Sequence, residues 1–572
     1  MKRRTGWLLA AGVLAVALGA AGVGVLALLL RGPAAGSGVF GGATYLEVHL
    51  AGEVPEAPSQ DLGSFFERRP PSLRGLVESL DRAGRDPDVK AVVLRVMMLD
   101  AGWGRTQEIR DAIRRFRRSG KPAYAHIEFC GNKEYYLATA CSRIYAVPTA
   151  ILQVSGLAAE VTFFRQTLDK LGVTAQFEGV GKYKNAPNTF TESSFTKPHR
   201  EQMEALLDSL YAQYVSAIAE GRGKNVEEVE ALVDRGPYDA AGALSAGLVD
   251  ELVYQDELTA KLGGATRETP TGYLRGSRSL LFDRRPKVAL VYAVGEIMPG
   301  ENQSGLLGGE GYVGSDTVSR ALREARTDDG IRAIVLRVDS PGGFGPAADV
   351  IRREVQLARK VKPVIVSMGD AAASGGYYVT IGSTAVVAQP ATITGSIGVF
   401  SGKFSVRGLY DKLGITKEIL TRGRNAAIFS SYRPWTEPER DKIRRQNEAF
   451  YEDFVQKVAT GRGKTYEDID AVAQGRVWTG KDALEKGLVD RLGGLEEAVA
   501  LAKERAKIAP GQDVSLVVLP AKKGFLQMLW QRQEEDVLER SLPVDVRALV
   551  RAVRAWVPDG PMARLPFSID VR

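Results

Sequence analysis

Cysteine and histidine are the scarce residues of this 572-residue chain, which holds two cysteines, Cys130 and Cys141, and three histidines, His49, His126 and His199. Two cysteines exclude a disulfide framework and a thiolate metal cluster. Each reads as a small buried filler, and a single bridge between them stays open, because sequence alone carries no Cα separation. None of the histidines stands beside an acidic residue in a recognisable pattern, which leaves little for a Ser-His-Asp triad. His126 aligns with a later "VIVSM" strand and reads as a packed strand residue. Long blocks of one charge are absent as well. The net charge is +7 and the pI about 9.1, with the positive residues scattered, which excludes the concentrated basic surface of a nucleic-acid binder.

What the chain does have is apolar sequence, 44% of it, enough at this length to fill two or more compact domains. After "MKRR" an uncharged run from Trp7 to Leu30 is long enough to cross a bilayer as a helix and exceeds a usual signal-peptide core. Residues 7–30 are expected to remain as a membrane anchor. Lys2, Arg3 and Arg4 predict a cytoplasmic N-terminus with the bulk of the chain on the far side, although Arg31 makes the bias incomplete. A cleaved secretory signal, favoured by the small residues near Ala20 and Ala21, is the alternative.

Behind a Gly-rich linker, residues 31–44, lies an internal duplication. "VKAVVLRV" at 89–96 returns as "IRAIVLRV" at 331–338, "KEYYLATACS" at 133–142 as "GGYYVTIGST" at 375–384, and "LDKLGVT" at 168–174 as "YDKLGIT" at 410–416, all at one offset of 242. "GRGK" and "GLVDEL" at 221 and 247 return at 461 and 487, offset by 240. Two homologous domains are expected, 45–265 and 286–505, with a C-terminal extension, 506–572, outside the repeat. Each alternates β-rich runs such as "KVALVYAV" with helical patterns such as "SDTVSRALREAR", which predicts α/β layering with mostly parallel strands. In "KPHREQMEALLDSLYAQYVSAIAEGRG", Met203, Leu207, Leu210, Tyr214 and Ile218 form a core-facing helical stripe. In the extension, "VDVRALVRAVRAWV" puts Val546, Leu549, Val550, Val553 and Trp556 on one face, to dock on the protein or on a membrane surface.

The repeats differ where chemistry would be. In "DAAASGGYYVT" Ser374 stands among small residues before a Gly-Gly pair, whereas the first copy has Asn132. "RVDSPGGFG" at 337–345 answers to "RVMMLDAGW", without the glycine pair, and Lys184 of "GVGKYKNAP" answers to Ala426. A serine needs a base to become a nucleophile, and a lysine amine serves if burial keeps it neutral. One residue from each half would make one Ser-Lys site, with the N–H groups of Gly375 and of Gly342 or Gly343 as oxyanion donors. Glycines there also admit an extended peptide close to the main chain.

"DSPGG", "DAAASGGYYV" with "TGSIGVF" downstream, "GKYKNA" and the tandem arrangement behind an anchor resemble the long form of signal peptide peptidase A, protease IV, over residues 45–505. The resemblance implies two domains of Clp protease and crotonase type. It also implies an inner-membrane serine endopeptidase with its catalytic domains on the periplasmic side, degrading cleaved signal peptides and other hydrophobic peptides. A homo-oligomer, a tetramer by resemblance, follows from it, with no metal or cofactor and no nucleic acid. The family's nucleophile falls on Ser374 and its base on Lys184, not Lys182; Ser396, which answers to Val154, falls on the lysine-orienting position. Phe344 and Asn185 depart from the small polar residue and the serine usual at their positions, which bears on pocket shape. A crotonase-like acyl-CoA enzyme and an inactive membrane scaffold of the same fold are the competing readings.

Overall fold

The computed structural model describes residues 43–57, 71–276, 284–303 and 311–521, and the backbone of 562–564. The expected anchor at 7–30 and the amphipathic stretch around Val546 lie outside the described residues. Among those described, no helix is long and apolar enough to cross a membrane.

Each half builds its own largely parallel sheet. In the first half the strand order is Tyr238–Asp239, Arg143–Leu152, Ala123–Cys130, Val89–Asp100, Thr44–Glu53 and Thr266–Glu268. The second follows the same plan with Val477–Thr479, Ile393–Gly395, Val364–Ala373, Ile331–Ser340, Lys287–Val294 and Ser515–Leu519. The last strand lies beyond the expected boundary at residue 505: it pairs in parallel with Lys287–Val294, so this sheet draws its edge from the extension. The two central strands of the second half read as unbroken apolar runs because both sheet faces are covered. Val288, Leu290, Ala333, Val335 and Ile365 enter one core, and Ala289, Val291, Ile334, Leu336, Val364 and Val366 the other, the period-two alternation of a strand. Burying each of these valine, leucine and isoleucine side chains stabilises the fold by about 1.5–3 kcal/mol.

The repeat is visible in the helices as well. Lys197–Arg222 and Glu437–Arg462 are each 26 residues long, each entered through a threonine N-cap with proline in the first turn and closed by a left-handed glycine, Gly223 and Gly463. Of the expected stripe, Met203, Leu210, Tyr214 and Ile218 are buried, and Leu207 packs half-buried against the same core.

A third, mixed sheet joins the halves, with strand order Tyr312–Gly314, Glu296–Met298, Gly342–Phe344, Met562–Arg564, Val399–Ser405 and Thr174–Val180. Its far strand belongs to the first half and pairs antiparallel with Val399–Ser405 along its whole length, from Val399 opposite Val180 to Ser405 opposite Thr174. The halves also share buried charge. Arg337, wholly inaccessible, donates to Glu56 Oε1 at 2.7 Å, Glu108 Oε2 at 2.9 Å and Ser367 Oγ at 2.8 Å. Asp370 accepts from the backbone N–H groups of Gly102 at 2.9 Å and Arg105 at 2.6 Å, and pairs with the Arg105 side chain. It thereby satisfies orphan donors at the start of helix Trp103–Arg118 across the interface. A Cβ on Gly102 would fall 2.2 Å from Asp370 Cγ. The "LDAGWGR" stretch that lacks the glycine pair of its counterpart therefore forms part of the seam between halves.

Candidate active site

Ser374 is delivered by strand Val364–Ala373, which lies between Ile331–Ser340 and Ile393–Gly395. The strand ends in "AAAS", whose small side chains let the chain turn sharply into the short helix Gly375–Tyr378. At that turn Ser374 takes φ 55° and ψ −114°, and its N–H donates to Gly395 O at 2.8 Å. A non-glycine residue at positive φ is strained, and such strain persists where the surroundings hold it. Gly376 permits the tight turn, because a Cβ there would lie 2.6 Å from Ser340 O.

Lys184 reaches the second half by continuing strand Thr174–Val180. After Gly181, at φ 104°, the Tyr183 N–H donates to Gln474 O at 2.8 Å, which ties the loop to the opposite half. Gly475, at φ 75°, lies beneath the lysine; a Cβ on it would be 2.6 Å from Lys184 Cβ and Lys184 N. Arg476 stacks on the Tyr183 ring at 4.8 Å and, like the Tyr183 hydroxyl, bonds Glu201 Oε1.

The sequence-predicted residues thus meet within one chain. Lys184 Nζ stands 2.7 Å from Ser374 Oγ, 2.9 Å from Ser396 Oγ and 3.1 Å from Ser396 O. Ser374 and Ser396 are inaccessible and Lys184 is buried. No carboxylate pairs with the amine among the described residues, and burial alone pushes its pKa well below the ordinary lysine value. Ser396 also sits at positive φ, 53°, with its N–H on Arg476 O at 2.7 Å. Lys182 is exposed, its Nζ 4.9 Å over the Tyr183 ring.

The three glycines are placed differently from one another. Gly375 opens the helix after Ser374, where N–H groups have no intrahelical partner. Gly343, at φ 150°, runs in register with Ile297, and a Cβ there would fall 2.1 Å from Ile297 O. Gly342 turns its N–H onto Ser340 Oγ at 3.2 Å. Phe344 joins Ala186, Phe400 and Phe177 in an apolar cluster two residues beyond Lys184, and Phe190 and Phe404 extend it. Asn185, beside the lysine, is buried with its Nδ2 unbonded.

The histidines and cysteines stand apart from this chemistry. His126 is buried, with Nε2 3.2 Å from Val253 O. His199 packs edge-on against Phe163 and Phe195, and burial lowers its pKa to about 4. Cys130 and Cys141 are free thiols, both buried, with no bridge between them; burial raises the Cys141 pKa to about 12. The sequence reading missed the cradle of Gln474, Gly475 and Arg476. Its one signal is the positive-φ demand at Gly475, which "AQGRV" displays only as an ordinary loop glycine.

Residues 115–266 and 356–509 each match the model of peptidase family S49. The chain belongs to that family. A chloroplastic serine protease SPPA of Arabidopsis thaliana is 35% identical over 78% of this chain and 68% of its own length. Protease 4 of Salmonella typhi is 32% identical over 87% of this chain and 79% of its own. A solved structure of a membrane-bound stomatin-specific protease with a substrate peptide aligns at 18% identity over 44% of this chain and 98% of its own, with a TM-score of 0.27. Two S49 domains in tandem and the likeness to the Arabidopsis thaliana and Salmonella typhi proteases make the chain a serine protease.

Proposed function

We propose that this S49 peptidase is a membrane-anchored endopeptidase that hydrolyses cleaved signal peptides and other apolar peptides, with Ser374 as nucleophile and Lys184 as general base. The 2.7 Å separation of Lys184 Nζ and Ser374 Oγ carries the reading. A neutral amine has two N–H bonds and one lone pair. Ser396 O can only accept and Ser396 Oγ is able to, so both N–H bonds are directed to Ser396 and the lone pair faces the Ser374 hydroxyl proton. Lys184 takes that proton as Oγ attacks the peptide carbonyl. The Gly375 N–H and the glycine strand stabilise the oxyanion, with Gly343 better suited than Gly342, whose N–H is engaged by Ser340. The protonated lysine then delivers its proton to the leaving amine. Water hydrolyses the acyl-enzyme with Lys184 again the base.

The aromatic wall formed by Phe177, Phe344 and Phe400 suits apolar peptide side chains. Residues 7–30 would hold the protein in the inner membrane with the catalytic domains outside the cytoplasm. Exposed Leu413, Ile415, Ile419, Leu420 and Phe429, clustered in 411–430, support burial of that stretch in a homo-oligomer. The test is digestion of a set of synthetic signal peptides by full-length protein in detergent, read by mass spectrometry. Internal cleavage of apolar peptides, absent in Ser374→Ala, is expected; turnover confined to charged peptides would overturn the substrate assignment.

A further inference from the structure

Residues 562–564 lie between two strands of the active-site sheet. Met562–Arg564 pairs antiparallel with Gly342–Phe344, with Gly342 opposite Arg564, Gly343 opposite Ala563 and Phe344 opposite Met562. On its other side Met562 is in register with Phe400. Among the described residues no other strand joins these two edges. Helix Gly375–Tyr378, which begins at the residue after Ser374, runs beside the same segment. Without the segment, Gly342–Phe344 and Val399–Ser405 face each other as two sheet edges about 10 Å apart, twice the interstrand spacing. A gap of that width accepts one extended strand, held by main-chain hydrogen bonds on both sides, as peptides are held in β-augmentation.

The occupant is the chain's own. Its sequence, "GPMARLP", sets prolines at 561 and 566 around the paired residues. Proline has no N–H to give to a ladder, so the register is bounded on each side. Because the segment is covalently attached, its concentration at the slot is set by the intervening chain and not by the bulk, which for short tethers reaches the millimolar range.

We propose that residues 562–564 are an intramolecular competitor: the C-terminal segment seats as a strand in the peptide slot beside Ser374 and must leave before an extended substrate binds. The proposal rests on the reading of Ser374 and Lys184 as a peptidase site. In a strand between two neighbours, successive N–H groups point to opposite sides, so proline at both 562 and 563 removes one donor from each ladder. The full-length variant Met562→Pro/Ala563→Pro is compared with the unaltered protein on one apolar peptide substrate. KM is expected to fall about tenfold with kcat unchanged within about twofold, since an internal competitor is removed. A synthetic peptide of residues 559–572 should inhibit the variant competitively. Equal KM for the two proteins, both active, together with no inhibition by the peptide at millimolar concentration, would overturn the proposal while leaving the peptidase reading intact. If neither protein cleaves the peptide nor is labelled at Ser374 by a fluorophosphonate, the peptidase reading fails, and the competitor with it.

Discussion

Lys184 Nζ has three oxygens within 3.1 Å, and burial is the one cause that moves its pKa. That fixes the sign of two pH effects. With Lys184 as the proposed base, catalysis needs the neutral amine, so kcat/KM should rise with pH through the lowered lysine pKa and level off below the ordinary value of about 10.4. Stability follows the linkage relation: between the lowered folded pKa and the ordinary unfolded one, the unfolded chain binds the extra proton, so Lys184 makes the protein less stable as pH falls across that window. Lys184→Met should therefore be inactive yet melt at a higher temperature than the unaltered protein at pH 7, and calorimetry of the two proteins checks this. Ser374→Ala should lower kcat by at least about a thousandfold, measured on a peptide substrate. Ser374 and Lys184 were legible in the sequence because the duplication supplied a control: each stands where the other copy has Asn132 or Ala426. The strained backbone at Ser374 and Ser396 was not legible, since serine in a small-residue stretch looks the same at any φ.

The elements that carry these residues are ordered by close backbone approach. Gly475 is the clearest case, with Lys184 Cβ and N both 2.6 Å from where a side chain would start. Gly475→Ala should move the lysine by a fraction of an ångström and lower kcat roughly a hundredfold, with KM little altered, because proton transfer depends steeply on position. Steady-state kinetics of the variant separates the two parameters. The strands themselves were readable from "VKAVVLRV" and "IRAIVLRV", since apolar runs covered on both faces have one common explanation. The cradle at Gln474–Arg476 was not readable. It lies almost three hundred residues from Tyr183, with which Arg476 bonds, and no periodicity links residues that far apart. The strand Ser515–Leu519 escaped for a different reason: its counterpart at the sheet edge, Thr266–Glu268, is shorter and unlike it in sequence, so the repeat gave no match to compare it with.

At the scale of the whole molecule, the two halves together build the Ser374–Lys184 pair. The strand pairing of Thr174–Val180 with Val399–Ser405 carries the lysine across, and the buried charges hold the seam. Arg337 neutralises Glu56 and Glu108 from the other half, and Arg337→Ala would leave two carboxylates buried without their counter-charge, Glu108 keeping only the Leu495 N–H at 2.9 Å. Such a loss destabilises by about 3–5 kcal/mol. The denaturation midpoint of Arg337→Ala should drop accordingly. Peptidase activity should fall at lower denaturant than in the unaltered protein, as the halves part before either unfolds. Sequence could tell that two copies existed and that Ser374 and Lys184 stand in different ones. It could not tell that they meet within one chain, because Arg337 and Glu56 are 281 residues apart and neither has a counterpart that signals the contact.

A neutral Lys184 drawing the proton from Ser374 is tested most directly by the rate at which a fluorophosphonate phosphonylates Ser374, with fluoride as the leaving group, followed against pH in full-length protein and in Lys184→Ala. The predicted result is a rate that climbs through a single inflection well below the ordinary lysine pKa, with phosphonylation abolished in Lys184→Ala at every pH. Undiminished labelling of Ser374 in Lys184→Ala, or an inflection at the ordinary lysine value, would contradict it.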